Sequence, residues 1–146
     1  MTKPHKPIVS VDFDGVLHSY DSGWKGASVI PDPPVPGAID GLMKLLDAGF
    51  DVAIFSSRSK SLRGRRAMKR WLGRSIADHW LEGEHFISGV EAVSWGEVAE
   101  VVHRFSWPWL KPSAMVAIDD RALTFNGCWA DFTPEKIRAF RPWNKQ

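Results

Sequence analysis

Apolar residues in this chain come in short runs that alternate between two spacings. Residues 8–13 (IVSVDF) form a β-branched run that stops just before Gly15, and residues 51–57 (DVAIFSS) repeat the pattern. Short apolar runs bounded by turn residues predict buried strands. Between them Ile39, Leu42, Met43, Leu46 and Phe50 recur at helical spacing, with Gly49 as a C-terminal stop. Residues 16–36 carry Gly23, Gly26 and the breaker string PDPPVPG, which predicts a loop. Residues 61–72 read as a helix with Leu62, Met68, Trp71 and Leu72 toward the core and the arginines outward. A second helix is expected over residues 96–105 through Val98, Val101, Val102 and Phe105. Residues 84–90 (EHFISGV) predict a third strand, and residues 114–120 (AMVAIDD) a clearer one. Thr133 as N-cap and Pro134 in the first turn predict one more short helix. Alternating strands and helices imply a parallel α/β sheet covered on both faces. With no internal repeat and no linker, residues 1–146 read as one domain, with residues 16–36 as a flap region and 73–109 as room for a small insertion.

Composition narrows the class. The chain has 146 residues, 44% of them hydrophobic, including eight Trp, which is ample for one core. Five of these, Trp95, Trp107, Trp109, Trp129 and Trp143, read as core or edge packing, with a partner surface as the alternative. No run approaches the about 18 apolar residues of a membrane helix, and residues 1–7 lack a signal-peptide core, so no membrane partner and a cytoplasmic location are expected. Cys128 is the single cysteine, which excludes an internal disulfide and a cysteine-rich zinc site and predicts a packed thiol in a reducing compartment. The five histidines show no metal-ligand spacing and read as ordinary core or surface residues. Net charge is only +2, but residues 57–77 hold eight basic residues and no acidic one. That block is either a solvated helix face or an anion-attracting surface.

The chemistry lies at the strand ends. Asp12 and Asp14 end the first strand, Ser56 the second, and Asp119 and Asp120 a later one. In an open parallel sheet the C-terminal strand ends line one crevice, where ligands bind. Four converging carboxylates need a cation, and hard oxygen ligands without clustered His or Cys point to magnesium (Mg²⁺). Gly15 lets the chain turn after the aspartates, so one carboxylate can reach a substrate while the other is displaced, which suits a nucleophile with a general acid/base. The structural alternative, turn-forming caps, does not explain why a second strand also ends in paired carboxylates.

Four stretches make the chain resemble the haloacid dehalogenase (HAD) superfamily. VDFDGV resembles its first motif, DxDG(T/V); Asp12 takes the position of the nucleophile, and Asp14 that of the general acid/base, which also holds the metal through its backbone carbonyl. IFSSR resembles the second motif, so Ser56 would hydrogen-bond the phosphoryl group, with Ser57 where Gly is more usual. AIDDR resembles the acidic fourth motif, so Asp119 would ligate Mg²⁺ and Asp120 support it. Lys111 is the third-motif cation expected here and Arg104 its fallback, although Lys111 lies unusually close to Asp119. The resemblance covers residues 8–127. It implies a Rossmann-like three-layer sandwich with a mainly parallel sheet and minimal or no cap, and a Mg²⁺-dependent phosphomonoesterase working through an aspartyl-phosphate.

A small cap implies an open site. That suits large substrates such as nucleic acid ends or phosphoproteins, or a cap supplied by a partner subunit. Arg58 beside Ser56, with the IDDR ending, resembles the phosphatase half of polynucleotide kinase–phosphatases; the longer string resembles small HAD-like proteins of phages and bacteria. Arg58, Ser57, Lys60 and Arg63 are then expected at the substrate, with Arg66 beside them. His18, Tyr20, Trp24 and Lys25 either contact the leaving group or pack the flap. Two other classes stand beside this reading: a catalytically idle HAD-like module binding nucleic acid or a protein, and a small-molecule phosphatase closed by a dimer partner.

Overall fold

The computed structural model describes residues 2–83 and 93–146. Strands β1 (Ile8–Val11), β2 (Asp51–Ile54) and β3 (Val116–Ile118) form a parallel sheet in the order β2-β1-β3. Among the described residues there are four α-helices: α1 (Ala38–Asp47), α2 (Leu62–Gly83), α3 (Trp95–Arg104) and α4 (Pro134–Ala139). The chain is therefore mixed α/β. None of these helices is long and apolar enough to cross a membrane.

Register explains where the core sits. Val9 pairs with Val52 and Val116, and Val11 with Ile54 and Ile118. Residues paired in register share a face of the sheet. On β1 and β2 that face is sealed by Ile39, Leu42 and Leu46 of α1 and by Met68, Leu72 and Ile76 of α2. The α1 residues fall at the expected helical spacing, and Gly49, in the left-handed region at φ 92, follows the helix end. At α4 the Thr133 hydroxyl accepts from the Lys136 amide at 3.2 Å, the cap its sequence predicts.

α2 runs well past the end predicted at residue 72. Met68, Leu72 and Ile76 continue one buried stripe, and Gly73 lies where the helix passes Val98 of α3. The roughly 1 kcal/mol that a helical glycine costs is offset by burying the next turn. Two orientations differ from expectation. Leu62 is half exposed. Arg65 does not point to solvent: its guanidinium stacks over Trp109 at 3.8 Å and donates to the Trp107 carbonyl.

The strand expected at residues 84–90 lies outside the described residues. The outer edge of β2 is instead bridged in parallel by Ser106, whose amide donates to Val52 O while the Ile54 amide donates to Ser106 O, both at 2.9 Å. The expected cover on both faces is incomplete at the other edge. Val116 and Ile118 share the core face yet are 50% and 44% exposed. The connection from Ser106 to β3 carries Pro108 and Pro112 and no helix, so nothing in it shields that strand. No residue from 111 to 146 is buried. Phe125, Trp129 and Phe132 gather there as a separate aromatic group, with centroids 5.5–5.9 Å apart. Trp95, Trp109, Trp129 and Trp143 are accordingly exposed, Trp107 alone of the five packs partly on the core, and Cys128 is exposed rather than packed.

This uneven burial makes a direct prediction. Leu72→Ala is expected to lower urea-unfolding stability by about 3 kcal/mol, as deletion in a sealed core does. Ile118→Ala, on the open strand, is expected to cost less than about 1 kcal/mol. Equal losses in the two variants would show that β3 is covered in solution.

Candidate active site

The parallel pairing of β1 with β3 brings distant acids together. Asp12 follows β1 directly, and its amide continues the ladder by donating to Ile118 O at 2.9 Å. Asp119 and Asp120 follow β3 in the same direction. Carboxylate oxygens of Asp12, Asp119 and Asp120 consequently lie within 4.8 Å of one another. Gly15 makes this possible: its φ is +82, and a Cβ there would run into the Asp120 carboxylate.

Crowding shows in the electrostatics. Burial, and then the charges of Asp119 and Asp120, push the Asp12 carboxyl up to about 7, against the opposing pull of a hydrogen bond from the Phe13 amide. The Asp120 side chain is only 3% exposed, and its Oδ1 is buried without a hydrogen-bond partner. Its nearest cation, exposed Arg121, stands off at 4.0 Å. An orphaned buried carboxylate oxygen beside two further acids is a set of oxygen donors that could hold a metal ion.

Asp14 is treated in the opposite way. Its carboxylate accepts from Arg58 Nε at 2.9 and 3.2 Å and from His18 Nδ1 at 2.8 Å. The Asp32 amide donates to His18 Nε2 at 3.0 Å, so Nδ1 carries the ring hydrogen. Burial pushes the Asp14 carboxyl up, but the His18 and Arg58 hydrogen bonds and the Arg58 charge outweigh it and hold it below the ordinary carboxylate value. The Asp14 side chain is thus outside the acidic cluster, and only its backbone carbonyl remains for the metal role expected of it.

Arg58, expected at the substrate, and His18, read as either a leaving-group contact or flap packing, both belong to this arrangement. Arg58 and His18 are fully buried. Besides Asp14, Arg58 Nη1 donates to the carbonyls of Gly26 and Ala27 at 2.8 Å and of Val29 at 3.3 Å, and the guanidinium lies 4.7 Å from the Trp24 ring centroid. Trp71 Nε1 donates to the Asp32 carbonyl at 3.0 Å. Residues 20–32 are in this way pinned to the turn Ser57–Lys60 and, through Trp71, to α2. Their base is paired as well, with Ser19 N donating to Pro33 O and Val35 N to Leu17 O.

Other expected residues are less committed. Ser56 is buried, accepts from the Arg58 amide at 3.0 Å and caps the turn Ser57–Lys60 in a reciprocal box with Ser59. Ser57, Lys60 and Arg63 are exposed. Lys111 is exposed in the connection before β3 and forms no ion pair with the acids. Arg104 lines a cavity with Ile8 and Asp51 at the N-terminal ends of the strands, so it cannot serve a site at the opposite ends. The sequence held no signal for two contacts from the chain's end: Trp143 Nε1 donates to Gly15 O at 2.7 Å, and Asn144 Nδ2 to Ser19 O at 3.4 Å. Comparisons with protein-family models, with curated proteins and with solved structures found no match.

Asp12 binds its proton more tightly folded than unfolded. In the metal-free chain its stabilising contribution is full below the ordinary value of 3.8 and falls as the pH rises to about 7. Metal-free Asp12→Asn is therefore expected to melt about 5 °C above the unaltered chain at about pH 8. The gap should close at about pH 4, and Mg²⁺ should raise the melting temperature of the unaltered chain far more than that of the variant. Coincident melting curves at both pH values would remove the crowding argument.

Proposed function

We propose that this chain is a Mg²⁺-dependent phosphomonoesterase of the HAD type, with Asp12 as nucleophile and an aspartyl-phosphate intermediate, acting on phosphorylated nucleotides or nucleic acid ends. The observation that carries the reading is the Asp12, Asp119 and Asp120 cluster with its orphaned, buried Asp120 oxygen. Topology supports it. The Ser106 bridge, β2, β1 and β3 stand in the order of a Rossmann-like sheet, and the cluster lies between β1 and β3, where the chain changes direction across that sheet. On that reading the fold is a small three-layer sandwich whose core face is thinly covered at β3.

Asp12, Asp119 and Asp120 would hold the ion, which when bound neutralises the carboxylates and draws a phosphate oxygen toward Asp12. The Asp12 carboxylate attacks phosphorus as the bond to the leaving oxygen breaks, and Asp14, freed from Arg58 and protonated from solvent, gives that oxygen its proton. Water then attacks the aspartyl-phosphate, losing its proton to Asp14 and releasing Asp12 and inorganic phosphate. Asp14 enters the cycle ionised, because Arg58 and His18 stabilise its charge. It is ready as the base of the second step and must be freed from Arg58 to carry a proton in the first. The exposed Lys60, Arg63 and Arg66 favour a polyanionic substrate, since basic residues on one outer surface raise the local concentration of phosphates.

A screen of p-nitrophenyl phosphate, mononucleotides and 3′- or 5′-phosphorylated oligonucleotides with Mg²⁺ tests the reading. Asp12→Ala should lower turnover on every substrate about a thousandfold or more while leaving the circular-dichroism spectrum intact; an active Asp12→Ala protein would end the proposal. Asp14→Asn separates the two steps by leaving group. It should slow alkyl phosphates at least about tenfold more than p-nitrophenyl phosphate in a burst assay, because nitrophenolate departs without a proton. The same factor for both classes would exclude Asp14 as the acid.

A further inference from the structure

We propose that the aromatic pocket beside Arg121 is a binding site for the planar ring of the substrate's leaving group, a nucleobase carried by a phosphorylated nucleotide. This rests on the phosphohydrolase reading of the adjoining carboxylates. The pocket, of about 480 Å³, is walled by Phe125, Trp129, Phe132, Ile137 and Phe140, with Arg121 at its margin. Its size falls in the range of small-molecule sites, about 300–1,000 Å³.

Arg121 joins the pocket to the catalytic carboxylates. Its amide donates to Asp119 Oδ1 at 2.8 Å, its Nε lies 4.0 Å from Asp120 Oδ2, and its side chain lines the pocket. It is also the one charged residue among those lining it. An occupant that matches has an apolar body inside and an anionic group toward Arg121 and the acids. A nucleotide has that polarity, with a ring for the aromatic walls and a phosphate for the metal site; a greasy helix or strand brings no anion to Arg121.

The aromatic residues are available for this role because the core does not use them. Trp129 is 78% and Phe125 54% exposed, and neither belongs to the sealed cluster between the sheet and α2. Phe125, Trp129 and Phe132 meet at tilted and edge-on angles of 45–68°, so no two of these rings are stacked face to face. Exposed aromatic faces next to a phosphate-handling centre bind bases by stacking without needing a sequence-specific edge contact.

The experiment compares AMP with ribose 5-phosphate, which carries the same phosphate without the ring. With Mg²⁺ present, kcat/KM for AMP should exceed that for ribose 5-phosphate at least tenfold. Trp129→Ala should bring AMP down to the level of ribose 5-phosphate, and Trp129→Phe should keep most of the preference. Equal kcat/KM for the two compounds, or a preference that survives Trp129→Ala, overturns the proposal. Calorimetry with adenosine, which has no phosphate, keeps the two readings apart. Adenosine bound by the unaltered chain and not by Trp129→Ala supports the pocket even if neither phosphate is turned over, in which case the phosphatase reading alone fails. Turnover with no ring preference and no adenosine binding overturns the pocket alone. A dimer in sedimentation that Trp129→Ala dissociates overturns it in favour of a second copy on this face.

Discussion

Two carboxylates leave β1 two residues apart, and the fold balances them in opposite ways. Asp14 receives a buried guanidinium and an imidazole N–H. Asp12 receives two more carboxylates and no cationic partner among the described residues. An isolated buried charge is costly, so each arrangement commits its surroundings. Around Asp14 the commitment is structural. Arg58 reaches from Asp14 to the carbonyls of Gly26, Ala27 and Val29, and His18 reaches from Asp14 to the Asp32 amide. The loop after β1, residues 20–32 and the turn Ser57–Lys60 before α2 are thereby one hydrogen-bonded unit. Around Asp12 the imbalance is left standing, in a cluster that could hold a metal ion.

Much of this was readable before any coordinate. The short apolar runs ending in acids identified the strands that bear Asp12, Asp119 and Asp120, because such runs bounded by turn residues read as strands, although only the first of the two is buried. What periodicity could not supply was the partner of each polar group. Arg58 and Arg63 look alike in a basic run. One is sealed inside by a carboxylate and three carbonyls, and the other is in solvent, a difference made by contacts 29–44 positions away in the chain. The helix expected over residues 61–72 falls short for a related reason: it continues through Gly73, where it passes Val98 on another helix. Ser56 shows the same limit: its place after β2 was evident, but its hydroxyl caps the next turn.

The last third of the chain obeys a different rule from the rest. Its apolar residues are as frequent as those of the rest of the chain, yet among the described residues β3 has one neighbour and the residues after it find no second layer to bury against. A three-residue edge strand limits the open ladder available to other chains. The aromatic group beyond it contributes little to the core, which frees it for contact with a ligand. It is not detached from the site, however. Trp143 and Asn144 close back onto Gly15 and Ser19, so the tail holds the same loop whose glycine makes room for Asp120.

The proton inventory of the metal-free site is the reverse of what the proposed reaction requires. Asp12, the nucleophile, favours its protonated form up to about 7, and Asp14, the acid, is held ionised. A cation held at Asp119 and Asp120 would work against the first inversion, since two of the causes that raise Asp12, after burial, are their negative charges. The second cannot be corrected there, because Asp14 is stabilised by Arg58 and His18. Under the proposed reaction Asp14 must exchange its contact with Arg58 for one with the leaving oxygen. Arg58 is also what pins residues 26–29, so a leaving group that shifts that segment would loosen Asp14 in the same movement. The residue that most stabilises the resting site is thus the one through which substrate arrival would reach the acid.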